Sequence, residues 1–218
     1  MKKGDLLWAL ALSLIIAILT IPATHHLFIT LTKNHPYLMG FVKVSILATL
    51  GELLAIRIVI GDFVKPVGVF WRFFIWGLLG MSFALIFPLF NSGVRTAIEI
   101  GLLPSFHENT IVTPLLISAA MNLIFAPTMM GLHRITDTYI ELCNGEVANF
   151  KNVSLENVVR HIDWKGLIGF VYLKTIPFFW IPAHTLTFML PSEYRVLAAS
   201  FLSIALGGIL AFAKKKKK

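Results

Sequence analysis

Residues 67–90 read VGVFWRFFIWGLLGMSFALIFPLF, and Arg72 is the only ionisable side chain in this stretch. A helix needs about 20 predominantly apolar residues to cross the hydrocarbon core of a bilayer. The apolar residues form one block here, whereas in a soluble core they alternate with polar ones. The stretch therefore predicts a membrane-spanning helix.

Five further blocks share this pattern, and residues that end helices, such as those of the Asn34-His35-Pro36 segment, separate them. The six blocks cover roughly residues 6–31, 37–60, 67–90, 111–132, 166–190 and 196–213. The sequence thus predicts an all-α, polytopic membrane helix bundle with about six transmembrane helices. Residues 1–218 are expected to form a single integral membrane domain.

The composition agrees with a membrane location. Hydrophobic residues make up 57% of the chain and charged residues 14%, whereas soluble domains carry about 25% charged residues. The net charge of +8 includes a terminal run of lysines, which is expected to contact anionic lipid. This run comprises Lys214, Lys215, Lys216, Lys217 and Lys218. The expected partner is the lipid bilayer, with a homo-oligomer left open and no nucleic acid.

The distribution of lysine and arginine predicts the topology. With the N-terminus inside, fourteen basic residues, Arg72 among them, fall on cytoplasmic segments and their flanks, and three, Lys33, Arg95 and Arg195, fall on outer segments. Lys43 and Lys174 lie within blocks and are not counted. Cytoplasmic segments are enriched in Lys and Arg, and one missed crossing would scramble every later segment. We therefore expect a multi-pass protein with both termini in the cytoplasm.

The first block permits two interpretations. It follows Met1-Lys2-Lys3 and is either an added N-terminal anchor helix within residues 1–34 or a signal peptide cleaved near Ala23. The apolar run continues beyond the length of an ordinary signal peptide, which favours the anchor.

The segment from His133 to Lys165 is predicted to be a long inner loop that contains one short amphipathic helix. Ser154 suits a helix N-cap, and apolar residues follow it at helical spacing. This helix, placed before the fifth crossing, either lies on the membrane interface or packs on other inner segments.

Ionisable side chains at membrane depth usually face a partner or a water-filled cavity. Lys43, Glu52 and Lys174 lie within the apolar blocks. We hypothesise that Glu52 and Lys174 make contact between the second and fifth helices and line or gate a polar path. The alternatives are a purely structural ion pair and a Lys43 side chain that extends to the outer surface.

The fifth block carries Pro177 and Pro182 before His184 and Thr187. Prolines free backbone carbonyls, which membrane helices tolerate where neighbours or water satisfy them. A helix break lined by His184 and Thr187 is therefore one interpretation, and a kink that helps packing is the other. Asn122 and Pro127 give a weaker form of this pattern in the fourth block.

Other motifs limit the functional classes. Glycines on the third and sixth blocks, including Gly80 and Gly207, indicate close helix packing. The sequence contains no phosphate-binding loop, no HExxH and no GxSxG. We therefore expect no enzyme activity, no catalytic residues, no metal site and no cofactor.

A further set of short motifs comprises His35-Pro36-Tyr37, Gly51-Glu52, Phe125-Ala126-Pro127, Trp180, Pro182, His184, Thr187-Phe188, Pro191 and Tyr194-Arg195. These motifs resemble those of the Mpv/PMP family of small peroxisomal and mitochondrial inner-membrane proteins. The similarity covers roughly residues 35 to 215. His184 stands where that family has Gln, Thr187 where it has Asn, and Met121-Asn122 where it has Asp-Gln.

The resemblance implies a small pore-like or metabolite-handling protein, since some members of that family behave as channels. The family is usually described with about four membrane helices, so the first block would be an addition to a core at residues 35–218. We therefore expect a pore or channel-like protein for small solutes. Two alternatives are a substrate-binding membrane subunit of a transporter and a membrane scaffold or assembly protein.

Overall fold

The computed structural model of the protein describes residues 2–105 and 111–215. In these residues the chain is helical and forms no β-strand, which confirms the all-α fold. The α-helices are α1 (Lys3–Thr20), α2 (Pro22–Asn34), α3 (Pro36–Ile60), α4 (Val69–Glu99), α5 (Val112–Leu142), α6 (Leu155–His161), α7 (Trp164–Gly166), α8 (Ile181–Met189) and α9 (Ser192–Lys215). A 3₁₀-helix covers Val147–Asn152, and a π-helix, Leu167–Trp180, joins α7 to α8. Three of the predicted lipid-binding lysines, Lys216, Lys217 and Lys218, lie outside the described residues.

Five helical segments of the described chain are long and apolar enough to cross a membrane. They are Lys3–Thr20, Val69–Glu99, Val112–Leu142, Trp164–Met189 and Ser192–Phe212. The protein is therefore a multi-pass membrane protein. Helix α3 corresponds to the second predicted crossing but is not one of the five, so its crossing stays a prediction.

The first predicted block is not one helix. Helix α1 ends at Thr20, Ile21 is extended, and α2 begins at Pro22. Proline has no N–H to donate and disfavours helical geometry in the residue before it. The prediction of a single helix across residues 6–31 was wrong for this reason.

The predicted loop at His133 was also wrong at its start. Helix α5 continues to Leu142, ten residues beyond the predicted end of the fourth block. His133, Asp137 and Glu141 therefore stand one helical turn apart on α5. Polar residues can continue a membrane helix when they face the protein interior. A hydropathy pattern nevertheless predicts a loop at such residues, because it does not show which way they face.

The predicted amphipathic helix is confirmed as α6. Ser154 caps it, since its hydroxyl accepts a hydrogen bond from the backbone N–H of Asn157 at 3.2 Å. Val158 is fully buried and α6 contacts α5, whereas Leu155 is exposed. The short helix thus packs on the bundle with one residue and leaves another apolar residue uncovered.

Helix α3 is the central helix of the bundle and packs against both α4 and α9, which also contact each other. Gly40 of α3 and Gly80 of α4 approach so closely that a Cβ atom on either would overlap the backbone of the other. Along α9, Val196 packs with Val44 and Ile204 with Gly51. The two helices therefore run in parallel and end on the same side of the bundle.

Ion pairs mark the two ends of the bundle. At one end Lys2 Nζ lies 2.8 Å from Asp62 Oδ2, which brings the N-terminus to the connection between α3 and α4. At the other end Lys33 Nζ lies 3.0 Å from Glu193 Oε1, which joins α2 to the start of α9. The segments that the charge count placed together thus share an end, while the side of the membrane on which each end lies stays a prediction.

Two variants that each add one cysteine test this orientation. We expect a membrane-impermeant maleimide to label Leu102→Cys on intact cells, and Val64→Cys only after the membrane is opened, because these exposed residues lie in segments assigned to opposite sides. The native Cys143 is expected to react little with the maleimide, because it is buried and burial raises the pKa of its thiol. Labelling of Val64→Cys on intact cells would reverse the topology.

Candidate functional site

A cavity of about 620 Å³ lies among α3, α4, α5, α9 and the π-helix Leu167–Trp180. One face of α5 lines its length, through Met121, Asn122, Phe125, Ala126, Met129, Met130, His133, Arg134 and Asp137. From Met121 to Asp137 this face extends about 24 Å at 1.5 Å per residue. The hydrocarbon core of a bilayer is about 30 Å thick, so the cavity spans a distance close to that thickness.

A buried arginine organises one end of the cavity. Arg72 Nη1 lies 3.1 Å from Glu52 Oε1 and 3.2 Å from Asp137 Oδ1, and Nη2 donates to Glu141 Oε1 at 2.8 Å. Its Nε donates to the Val67 carbonyl at 2.9 Å. The Arg72 side chain is 8% exposed. One guanidinium therefore joins α3, α4 and α5 through three carboxylates, and we call these four charged residues the Arg72 cluster.

His133 extends the Arg72 cluster along the cavity wall. Its ring centroid lies 4.2 Å from that of Trp76, and its Nε2 lies 3.6 Å from Asp137 Oδ2. Within the described chain, His133 Nδ1 is buried without a hydrogen-bond partner, and so is Asp137 Oδ1, although the latter pairs with Arg72. Such atoms are rare in folded proteins, so the hydrogen-bonding capacity at this end is incompletely used.

The far end of the cavity is built around His184. Its Nδ1 lies 3.0 Å from Asn122 Nδ2 and 3.1 Å from Asn122 Oδ1, and the Asn122 amide also donates to the Ser118 carbonyl at 2.8 Å. The imidazole stacks on Trp180 with ring centroids 5.0 Å apart and meets the edge of Phe87 at 5.6 Å. Aromatic rings thus fix the orientation of an imidazole that lines the cavity.

Apolar residues close the cavity beyond His184. Phe87 stacks on Phe188 with ring centroids 5.3 Å apart, and both belong to a buried cluster with Val94, Ile117 and Met121. We call this cluster the Phe87 plug.

The predicted helix break is replaced by a continuous helix. The chain is helical from Trp164 to Met189, with Pro177 inside the π-helix and Pro182 in the first turn of α8. Proline is tolerated in a first turn, and a π-helix shifts hydrogen bonds from i−4 to i−5, which accommodates a missing donor. Pro127 lies inside α5, and its carbonyl accepts a 2.7 Å hydrogen bond from the Tyr172 hydroxyl.

The structure separates the predicted lining residues into two groups. Glu52, Asn122 and His184 line the cavity. Lys174 is exposed on the π-helix, and Thr187 is buried with its hydroxyl donating to the Ala183 carbonyl at 3.0 Å. The hypothesised contact of Glu52 with Lys174 is wrong, because Glu52 pairs with Arg72.

Lys43 also differs from its predicted alternative. It is buried between α2 and α3 instead of extending to the surface, with Nζ 3.4 Å from Thr32 Oγ1 and 5.2 Å from the centre of the Phe28 ring. An ammonium over an aromatic face is stabilised by the ring quadrupole. Lys43 is not among the residues that line the cavity.

Sequence reasoning missed Arg72 and the charged residues of α5. The charge count assigns Arg72 to the cytoplasmic side, and the predicted inner loop contains His133, Asp137 and Glu141. Their spacing of four residues, which places them on one helix face, was the signal that could have identified them.

Fold and cavity define an all-α, multi-pass membrane protein with a cavity of about 620 Å³ inside its helix bundle. No family model matches the chain, and no curated protein or solved structure matches it either. The resemblance to the Mpv/PMP family therefore stays a hypothesis that rests on the motifs alone.

Proposed function

We propose that the protein binds a small solute in its cavity and passes it across the membrane as a pore or channel-like protein. The observation that carries this proposal is the length of the cavity along α5, about 24 Å at 1.5 Å per residue. Its volume of about 620 Å³ falls in the range of small-molecule sites, which is roughly 300–1,000 Å³. The proposed Mpv/PMP relationship would agree with such a role.

The two ends of the cavity suggest how passage would be controlled. The solute enters from the Arg72 cluster, since Glu141 and Asp163 are exposed at that end. It then meets His184 and the Phe87 plug. In the proposed path, passage beyond His184 requires the stacked rings of Phe87 and Phe188 to change rotamer.

A liposome assay with a matched pair of variants tests the proposal. Proteoliposomes are shrunk in glycerol, sorbitol or methylammonium chloride, and their reswelling is followed by light scattering. We expect at least one solute to enter faster than in empty liposomes. The Met129→Trp substitution fills the cavity and is expected to slow this entry about tenfold, equivalent to 1.4 kcal/mol in the barrier.

Leu123→Trp is the control, because Leu123 lies on the same helix but is exposed on its outer face. It is expected to leave the rate unchanged. Equal rates in protein-containing and empty liposomes for all three solutes, with folded protein, would contradict the pore. Stable co-purification with a second membrane subunit would then favour the transporter-subunit alternative.

A further inference from the structure

The cavity wall carries carboxylates at one end and aromatic rings along its length, and these two features favour one class of solute. We infer that the cavity takes a small organic cation, an amine with an apolar body, in preference to a neutral or anionic solute. This inference rests on the proposed function, because it concerns the solute class of the same cavity.

Carboxylates dominate the charged end. Glu52, Asp137 and Asp163 line the cavity, and Arg134 is the only lysine or arginine among its described lining residues. Arg72 lies behind this wall, where three carboxylates surround it. An anion would meet Glu52 and Asp137 before it reached the Arg72 guanidinium, so like-charge repulsion disfavours it.

The rest of the wall suits the body of an organic cation. Six aromatic side chains line the cavity: Trp76, Phe83, Phe87, Phe125, Phe170 and Trp180. Aromatic faces attract ammonium groups as well as apolar groups, and the methionines beside them adapt to varied shapes. Carboxylates at one end and rings along the length match an ammonium group joined to a hydrocarbon body.

Binding to the purified full-length protein tests the inference with three probes of similar size. The probes are phenethylammonium, phenethyl alcohol and phenylpropanoate, and saturable quenching of tryptophan fluorescence is measured against empty micelles. We expect the cation to bind about tenfold tighter than the alcohol, which corresponds to 1.4 kcal/mol. The carboxylate is expected to show no saturable binding.

Variants locate the preference. Glu52→Gln and Asp163→Asn are each expected to weaken binding of phenethylammonium severalfold and to leave the alcohol unchanged. Asparagine keeps the helix cap that Asp163 provides for the N–H of Gly166, so this variant is expected to fold even if Glu52→Gln does not. Glu156→Gln, at an exposed carboxylate outside the cavity, is the control and should change neither affinity.

Two results would overturn the inference: equal affinity for the cation and the alcohol, or tighter binding of the carboxylate. The liposome assay tests the pore independently of the binding assay. Selective cation binding without solute entry would contradict the pore and leave the inferred solute class intact. Entry of glycerol without any preference for the cation would support the pore and contradict the inferred solute class.

Discussion

Replacing Gly80 with alanine is expected to destabilise the folded protein by about 3 kcal/mol, the upper end of the usual cost of overpacking. A Cβ atom at Gly80 would overlap the carbonyl oxygen of Gly40 and crowd Val44. A side chain can rotate away from such an overlap, but the backbone of a helix cannot. Helices α3 and α4 would have to separate, and α3 is also packed against α9.

The measurement is the thermal midpoint of the purified protein in mild detergent, together with its elution as a single species. Gly93→Ala is the matched control, because Gly93 lies in the same helix and a Cβ atom there meets nothing within 4 Å. Alanine is favoured over glycine in a helix by about 1 kcal/mol, so this variant is expected to be at least as stable as the parent. Equal stability of the two variants would contradict the packing of α3 on α4.

The glycine contact illustrates what the sequence could predict. Apolar block length identified the helices, and the small residues at Gly80 and Gly207 indicated tight crossings. The partner of each glycine was not predictable, since a helix surface shows which side is small but not which neighbour approaches it. Gly40, the partner of Gly80, was not singled out at all.

At the charged site, the sequence predicted one residue correctly and its partner wrongly. Glu52 was identified as a residue that needs a partner at membrane depth, and that reasoning holds. Its partner was missed because Arg72 lies one turn inside α4, where it was counted as a cytoplasmic charge. Lys174 was chosen because it is an ionisable residue within an apolar block, but the π-helix that carries it departs from the 3.6-residue turn on which facing positions are predicted.

Helix ends were the other source of error. The predicted loop at His133 and the predicted break at Pro182 both treated polar residues and prolines as helix terminators. In a bundle, an interior cavity can solvate polar side chains and neighbouring hydroxyls can satisfy freed carbonyls. The Tyr172 hydroxyl donates to the carbonyl of Pro127 itself, a contact between two helices that sequence spacing alone does not reveal.

The Arg72 cluster should be the most sensitive charged site of the protein. Replacing Arg72 with glutamine is expected to cost about 3–5 kcal/mol, the range for breaking a buried ion pair by removing one partner. Glu52, Asp137 and Glu141 would then face one another without a counter-charge. Glu141 is mostly exposed, so solvent screens its share of the repulsion. The main cost falls on Glu52 and Asp137.

A series of variants separates charge from packing, with thermal midpoints as the measurement. Arg72→Lys keeps the charge but loses the fork that reaches three carboxylates and the Val67 carbonyl, so it is expected to be intermediate. Adding Glu52→Gln to Arg72→Gln is expected to recover part of the loss, because it removes one of the unpaired charges. Arg160→Gln disrupts only an exposed pair with Glu156 and should change stability by no more than about 0.5 kcal/mol. If Arg72→Gln were as mild as Arg160→Gln, the guanidinium would not hold α3, α4 and α5 together, and the charged end of the cavity would need another explanation.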